Sequence, residues 1–168
     1  MSDILVNKVA ESGIVTIDPA SLLPPAEIIT FDIKDFLFMG LILKEKDFRE
    51  SLKNTDWQQY AGKQVALTCT ADAIIPAWAW MLIMTYLQPM AADVVMGDET
   101  EARRQLFLRN IQQLPTGDYT DKRIVIKGCG DTPIADFAYM ELTKKLLPVA
   151  RSIMFGEPCS TVPVYKKR

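Results

Sequence analysis

The sequence predicts an α/β protein with a three-layer, Rossmann-like fold, whose mostly parallel sheet is built from a duplicated βαβ unit. Residues 63–97 align without a gap on residues 122–156, so that Lys63 is matched with Lys122 and Gly97 with Gly156. Each copy contains a β-branched apolar run, a helical stretch and a second apolar run, which is the order of a βαβ unit. Strands joined through helices form a largely parallel sheet with helices on both faces.

The alignment of the two copies, which we call the repeat register, depends on identical residues spread over their whole length. Apolar pairs such as Val65/Ile124 lie between them. An unbroken register favours an internal duplication over chance similarity. The identical pairs include Lys63/Lys122, Asp72/Asp131, Ala79/Ala138, Met81/Met140, Leu87/Leu146, Pro89/Pro148, Ala91/Ala150 and Gly97/Gly156.

Each predicted element follows from a local pattern of apolar and turn-forming residues. Predicted strands are Gly13 to Asp18, Ile28 to Ile33, Gln64 to Thr68, Asp93 to Met96, Arg123 to Lys127 and Ser152 to Phe155. Predicted helices are Glu45 to Asn54, Glu99 to Leu114, and the two stretches that end at Pro89 and Pro148. Ser21 to Pro25 is a predicted loop, and the period of Phe36 to Leu43 does not decide between helix and strand.

The length of 168 residues is that of one domain. We therefore expect a single α/β domain over residues 1–168. Its core contains the copies 63–97 and 122–156, and residues 1–62 pack on this core as an N-terminal segment.

Composition and charge exclude several classes of function. The net charge of -2 and the pI near 5.2 provide no basic field for a phosphate backbone, so nucleic acid is not an expected partner. The start Met1-Ser2-Asp3 has no basic segment followed by an apolar one, which predicts no signal peptide and a cytoplasmic location, with cysteines that are free thiols or metal ligands.

The stretch Ala73 to Ala92 carries no charged residue and is long enough to resemble a membrane helix. Pro76, Gln88 and Pro89 interrupt it. We therefore expect a covered helix of a water-soluble fold and no membrane partner.

The absence of histidine excludes Ser-His-Asp and Cys-His triads and every metal site that uses imidazole. No phosphate-binding loop and no dinucleotide fingerprint occurs, and Gly128-Cys129-Gly130 is only a short glycine-rich turn. Any proton transfer near neutral pH would need a thiolate, a carboxylate or a metal-bound water. Glu157 and Asp98 are the candidate bases. Whether the protein is an enzyme stays open.

Three cysteines follow predicted strand ends, where parallel sheets bind ligands. Cys69, Cys129 and Cys159 could converge there with Asp72, Asp131 or Glu157. Three thiolates with a carboxylate or water suit zinc, and three thiolates with an open position suit an iron–sulfur cluster.

A plainer interpretation competes at each of these positions. Free cysteines often fill apolar cores, and no CxxC pair is present. Asp72 and Asp131 could cap the helices that follow them, as could Thr132 with Pro133 at the first helical position. Trp78 and Trp80 are expected to pack in the core.

Two functions of different class therefore remain. One is a metal- or small-molecule-binding protein with a cysteine and carboxylate site at the carboxyl edge of the sheet. The other is a non-catalytic binding or assembly module with structural cysteines.

A homodimer is predicted from the face on which the two repeat helices differ. The first copy has Ala77, Leu82, Thr85 and Tyr86 where the second has Asp136, Glu141, Lys144 and Lys145. An apolar face needs a cover, and symmetric dimers are the commonest soluble oligomers. Residues Ile28 to Leu43 are the competing cover for Leu82 and Tyr86.

Four stretches of the sequence resemble an uncharacterised bacterial family, domain of unknown function 2480. They are Leu43 to Arg49, Thr68 to Pro76, Ile126 to Cys129 and Met154 to Pro163. The resemblance covers nearly the entire chain. It implies no activity, so function has to be inferred from the residues.

Overall fold

The structure is a computed structural model that describes residues 13–168. The N-terminal residues on which the signal-peptide prediction depends lie outside this range. The chain divides into two compact units, which we call the first unit (residues 13–23 and 107–168) and the second unit (Pro24–Leu106).

Seven strands and four α-helices are present in residues 13–168. The strands are β1 (Ile14–Ile17), β2 (Ile28–Asp32), β3 (Gln64–Thr68), β4 (Asp93–Met96), β5 (Arg123–Ile126), β6 (Ser152–Glu157) and β7 (Ser160–Lys166). The helices are α1 (Glu45–Asn54), α2 (Ala77–Leu87), α3 (Glu99–Gln113) and α4 (Asp136–Leu146).

The strands form two sheets, and in this respect the expectation of one sheet was wrong. The first unit contains the order β1-β5-β6-β7, in which only β7 is antiparallel, and the second unit contains the fully parallel order β2-β3-β4. The reason is that the N-terminal segment provides one strand for each repeat copy: β1 pairs with β5, and β2 pairs with β3. The α/β class with mostly parallel sheets is confirmed.

The elements of the two copies keep the repeat register. Helix α2 covers Ala77–Leu87 and α4 covers Asp136–Leu146, while β4 begins at Asp93 and β6 at Ser152. Continuing the same register outside the copies matches buried helix positions as well, since Phe48 and Leu52 of α1 correspond to Phe107 and Ile111 of α3. The order strand, helix, strand, helix, strand therefore recurs in the two units, and the first unit adds β7 at its end.

The core of the first unit is mainly aliphatic. Its fully buried members come from α3, β5, α4 and β6, and they include Ile111, Ile124, Leu142, Leu146 and Ile153. Because these residues recur on one face of each helix and strand, burying them fixes both helices against the sheet.

The core of the second unit is rich in aromatic side chains. Phe31 stacks on Phe36 at 5.2 Å and on Trp57 at 5.6 Å between ring centroids. Phe48 of α1 lies edge-on to Trp78 at 6.1 Å. Trp78 and Trp80 pack against this core, as the sequence predicts.

The apolar face of α2 is partly covered within the second unit. Tyr86 stacks on Trp57 at 4.8 Å between ring centroids. Leu82 belongs to the same cluster as Leu43 and Phe36, which agrees with the competing cover by residues Ile28 to Leu43. The homodimer stays a prediction, to be tested by light scattering on the wild type and on Leu82→Glu.

Helix α2 takes up only 11 residues of the uncharged stretch. Within residues 13–168, no helix is long and apolar enough to cross a membrane. Helix α3 stops at Gln113, one residue before its predicted end at Leu114, and β7 has no counterpart among the predicted strands.

Candidate functional site

An ion pair lies at the carboxyl edge of the first unit. Asp18 directly follows β1 and Lys127 directly follows β5, and pairing of Ile17 with Ile126 sets them side by side. The backbone N–H of Lys127 donates to the carbonyl of Ile17 at 2.9 Å. The Lys127 Nζ then donates to Asp18 Oδ2 at 3.3 Å, while Asp18 Oδ1 accepts from the Ala20 N–H at 2.9 Å.

These contacts keep both groups of the pair charged. The N–H of Ala20 lowers the pKa of Asp18 below its ordinary value; slight desolvation opposes the shift, and Lys127 adds to it. The hydrogen bond and the charge of Asp18 raise the pKa of Lys127, and the carboxylates of Glu157 and Asp131 raise it further. An ammonium group surrounded by carboxylates is thus held in place at a strand end.

A cavity of about 710 Å³ opens beside this pair, and we call it the Lys127 pocket. Its wall combines the loop after β5, the start of α4 and an aromatic pair, Tyr139 and Phe155. The two rings meet edge to face at 5.4 Å between centroids. Phe155 lies over Gly128, where a Cβ would overlap the ring, so a larger residue at this position would displace the Phe155 side chain.

The pocket also collects a thiol and further carboxylates. Cys129 is exposed and lines the cavity together with Asp131 and Asp136. Burial raises the pKa of the Tyr139 hydroxyl, and the charges of Asp18, Cys129 and Asp136 raise it further. The hydroxyl is therefore a neutral hydrogen-bonding group at physiological pH.

The second unit has a smaller cavity at the equivalent place, which we call the Cys69 pocket. It measures about 300 Å³. Several of its lining residues correspond to Lys127-pocket residues in the repeat register: Thr68 to Lys127, Cys69 to Gly128, Trp80 to Tyr139 and Met96 to Phe155. Its walls are mainly apolar.

Asp32 is the counterpart of Asp18 in the second unit. It lies at the end of the first strand of its sheet, and its Oδ1 accepts from the Lys34 N–H at 2.9 Å. The Thr70 hydroxyl donates to Asp32 Oδ2 at 2.5 Å. Partial burial opposes a low pKa for Asp32, but the Thr70 hydroxyl and the N–H groups of Lys34 and Thr70 lower it overall. Within residues 13–168, no lysine forms an ion pair with this carboxylate.

The sequence profile of a family described as "Protein of unknown function (DUF2480)" matches residues 3–167. The chain belongs to this family. A search of curated proteins and a search of solved structures found no match to it. The function of this DUF2480 protein must therefore be argued from its site.

The DUF2480 chain distributes the predicted site residues over both units. Cys129, Asp131 and Glu157 gather around Lys127 in the first unit. Cys159 is exposed in the turn between β6 and β7, and it is not among the residues that line the Lys127 pocket. Cys69 and Asp72 belong to the second unit, where Cys69 is half-buried and packs against the core.

Among the described residues, no group of three or more Cys, Asp or Glu side chains could hold a metal ion. The three thiols follow strands of two different sheets, whereas the metal hypothesis placed them on one. A shared zinc or iron–sulfur site stays a prediction, and elemental analysis of the purified protein would test it.

The capping interpretation of Asp72 and Asp131 was wrong. Helices α2 and α4 begin only after Pro76 and Ala135, and neither cap position forms a side-chain hydrogen bond. Because α4 begins at Asp136, Thr132 is not its N-cap residue and Pro133 is not its first helical residue. Asp98, a candidate base, does cap a helix, since its carboxylate accepts from the Glu101 N–H at 2.8 Å at the start of α3.

Sequence reasoning missed Asp18, Lys127, Tyr139 and Phe155. A signal for the first two was present, because both residues end predicted strands and such ends meet at one sheet edge. Tyr139 and Phe155 carry no comparable signal, since an aromatic residue in an apolar pattern normally indicates core packing.

Proposed function

We propose that the protein binds a small polar molecule in the Lys127 pocket. The observation that carries the proposal is the position of a cavity of about 710 Å³ at the carboxyl ends of β1, β5 and β6. Cavities of roughly 300–1,000 Å³ suit small molecules. Parallel sheets bind ligands beyond the carboxyl ends of their strands, and Rossmann-like folds follow this rule. A Rossmann-like arrangement of the strands and helices is therefore part of the proposal.

The charges on the wall favour a ligand that carries an amino group. Three carboxylates, those of Asp18, Asp131 and Asp136, line the pocket with one ammonium, that of Lys127. The ammonium is already paired with Asp18, which leaves the two other carboxylates to receive a cation or hydroxyl donors. Tyr139 and Phe155 offer ring surface, which can pack against a sugar-like or aliphatic body.

The comparison of the two units supports binding over structural packing. We infer that the units arose by duplication, because strands, helices and pocket walls all recur in the repeat register. Of the two pockets, only the Lys127 pocket has charged groups on its wall. The charged wall of the Lys127 pocket, which the equivalent place in the second unit lacks, therefore supports binding of a polar ligand.

The alternative is a non-catalytic assembly module with structural cysteines, and the position of Cys69 fits this alternative best. That thiol packs against the aromatic core. Cys129 and Cys159 are exposed, so core filling does not account for them. Binding in the Lys127 pocket requires no reaction, and therefore it is compatible with a non-catalytic role.

Cysteine labelling tests the proposal, because Cys129 lies in the pocket and Cys159 provides an internal control. The protein is labelled with iodoacetamide in the presence of glucosamine, spermidine or a neutral polyol such as glycerol, and the rate at each thiol is measured by mass spectrometry. We expect an amine to slow Cys129 at least twofold while Cys159 is unchanged. The protection should disappear in Asp131→Asn and persist in Asp72→Asn, which removes the equivalent carboxylate of the second unit.

Two results would contradict the proposal. One is labelling of Cys129 that no amine slows more than glycerol does. The other is protection that Asp131→Asn leaves intact, because the bound amine would then lie outside the Lys127 pocket.

A further inference from the structure

A second cavity of the first unit lies at the opposite, amino ends of its parallel strands. It measures about 450 Å³, and we call it the basic groove. Four cationic side chains line it, those of Arg123, Arg151, Lys166 and Lys167, together with Ser152 and Tyr165. Among residues 13–168, no carboxylate is part of its wall. The chain as a whole is acidic, with a net charge of -2, so these cations are locally concentrated.

Strand pairing fixes the spacing between the backbones of the cationic residues. Arg123 pairs with Ser152 across β5 and β6, and Ser152 pairs with Lys166 across β6 and β7. Residues in register on neighbouring strands face the same side of a sheet, about 4.8 Å apart per strand. The Lys167 N–H donates to the Arg151 carbonyl at 2.9 Å, which fixes the backbone of these two residues next to Ser152 and Lys166. All four cationic residues line the groove.

The four cationic groups lack a partner of opposite charge among the described residues. None of them forms an ion pair in the part of the chain that the structure describes. Like charges held close together repel one another and disfavour the folded state. An arrangement of this kind becomes favourable when a multiply charged anion binds between the cations.

The second unit shows that the fold does not require these cations. In the repeat register, Gln64 stands in place of Arg123, Ala92 in place of Arg151, and Asp93 in place of Ser152. The same strand ends are therefore built without a basic groove. Its charge is a property of the first unit alone.

We propose that the basic groove is a binding site for a small anion that carries several phosphate or phosphate-like charges. Arginine offers planar paired donors for phosphate oxygens, lysine offers mobile point charges, and the Ser152 and Tyr165 hydroxyls offer neutral donors. The site is independent of the Lys127 pocket, and either can exist without the other.

Thermal unfolding with inorganic tripolyphosphate tests this site. At low ionic strength, we expect tripolyphosphate to raise the Tm of the wild type more than sodium chloride of the same ionic strength, with saturation at one anion per chain in calorimetry. The double variant Arg123→Gln/Lys166→Gln should bind at least roughly tenfold more weakly, since each exposed cation contributes a few-fold. Without the anion its Tm should be equal to or above that of the wild type, because repulsion is relieved.

A matched control removes two cations elsewhere. Lys46→Gln/Lys53→Gln takes the same charge from the exposed side of α1, and tripolyphosphate binding should be unchanged. The proposal is wrong if tripolyphosphate acts no more strongly than chloride at equal ionic strength. It is equally wrong if both double variants lose affinity to the same extent, since the anion would then respond only to net charge.

Discussion

The two units differ at the carboxyl edge, although three parallel strands end there in both. In the first unit, Asp18 is paired with Lys127 beside a cavity of about 710 Å³. In the second, Asp32 accepts from Thr70 beside a cavity of about 300 Å³. Topology thus decides where a pocket forms, and side chains at a few equivalent positions decide what it can bind.

The cores differ as well, and this difference provides a measurement. All three tryptophans, Trp57, Trp78 and Trp80, lie in the second unit. Tryptophan fluorescence therefore reports on unfolding of the second unit, whereas far-UV circular dichroism reports on both. The two signals together show whether the units unfold as the single domain that the sequence predicts.

The largest effect is expected from truncating a buried phenylalanine in the first unit. Phe107 is 4% exposed and lies edge-on to Phe137 at 5.6 Å between centroids. Phe107→Ala should lower the free energy of unfolding by about 3–5 kcal/mol. If the chain is one domain, denaturant midpoints measured by fluorescence and by circular dichroism should fall together.

The matched change in the second unit is Phe48→Ala, at the equivalent helix position. It should shift both signals by a similar amount. If Phe107→Ala changes only the circular dichroism transition and leaves the fluorescence transition in place, the units are separate domains and the single-domain prediction fails.

A smaller effect is expected where the two pockets differ in side-chain size. The first unit pairs Gly128 with Phe155, and the second has Cys69 and Met96 at these positions. Gly128→Cys should cost about 1–3 kcal/mol, because the new side chain overlaps the Phe155 ring and overpacking strains the site. Denaturant unfolding measures this loss.

The double variant Gly128→Cys/Phe155→Met recreates the pair of the second unit and should recover part of the loss. Phe155→Met alone gives up the edge contact with Tyr139, worth about 0.5–1.5 kcal/mol. Additive losses in the double variant would mean that the two positions do not share space, which would break the proposed equivalence of the pockets.

Elements with a strong period were predictable from the sequence. Helix α1 and strands β3 and β4 have the predicted bounds, because apolar spacing and turn residues define short elements locally. The partner of each strand was not predictable in this way. Pairing of β1 with β5 joins distant parts of the chain, such as Ile14 and Arg123, and no local pattern encodes such a contact.

The candidate site was also predictable only in part, because local patterns locate strand ends but do not show which strands are neighbours. The strand-end rule located Cys129, Asp131 and Glu157 near one edge, and the structure places them around Lys127. Cys69 follows a strand of the other sheet, and the rule applies within one sheet, so it does not relate Cys69 to this edge. Strand order was the missing information.

The smallest expected effect concerns the pH dependence of stability, and it compares the two strand-end aspartates. Folding lowers the pKa of both Asp18 and Asp32 below the ordinary value of 3.8. Each carboxylate therefore contributes stability that is present above the unfolded pKa and is lost as pH falls through the folded pKa. Lys127 acts at the other end of the scale: its pKa is raised above 10.5, so its contribution is lost as pH rises through the folded pKa. Asp18→Asn and Asp32→Asn should each reduce the acid-induced fall in Tm between about pH 5 and pH 2. Lys127→Met should remove the alkaline loss that Lys127 causes and also reduce part of the acid loss, because Lys127 helps to lower the pKa of Asp18. A Tm profile of Asp18→Asn that matches the wild type in acid would mean that neither the Ala20 N–H nor Lys127 stabilises the charged Asp18 carboxylate in the folded state. The difference between the carboxyl edges of the two units would then affect binding and not stability.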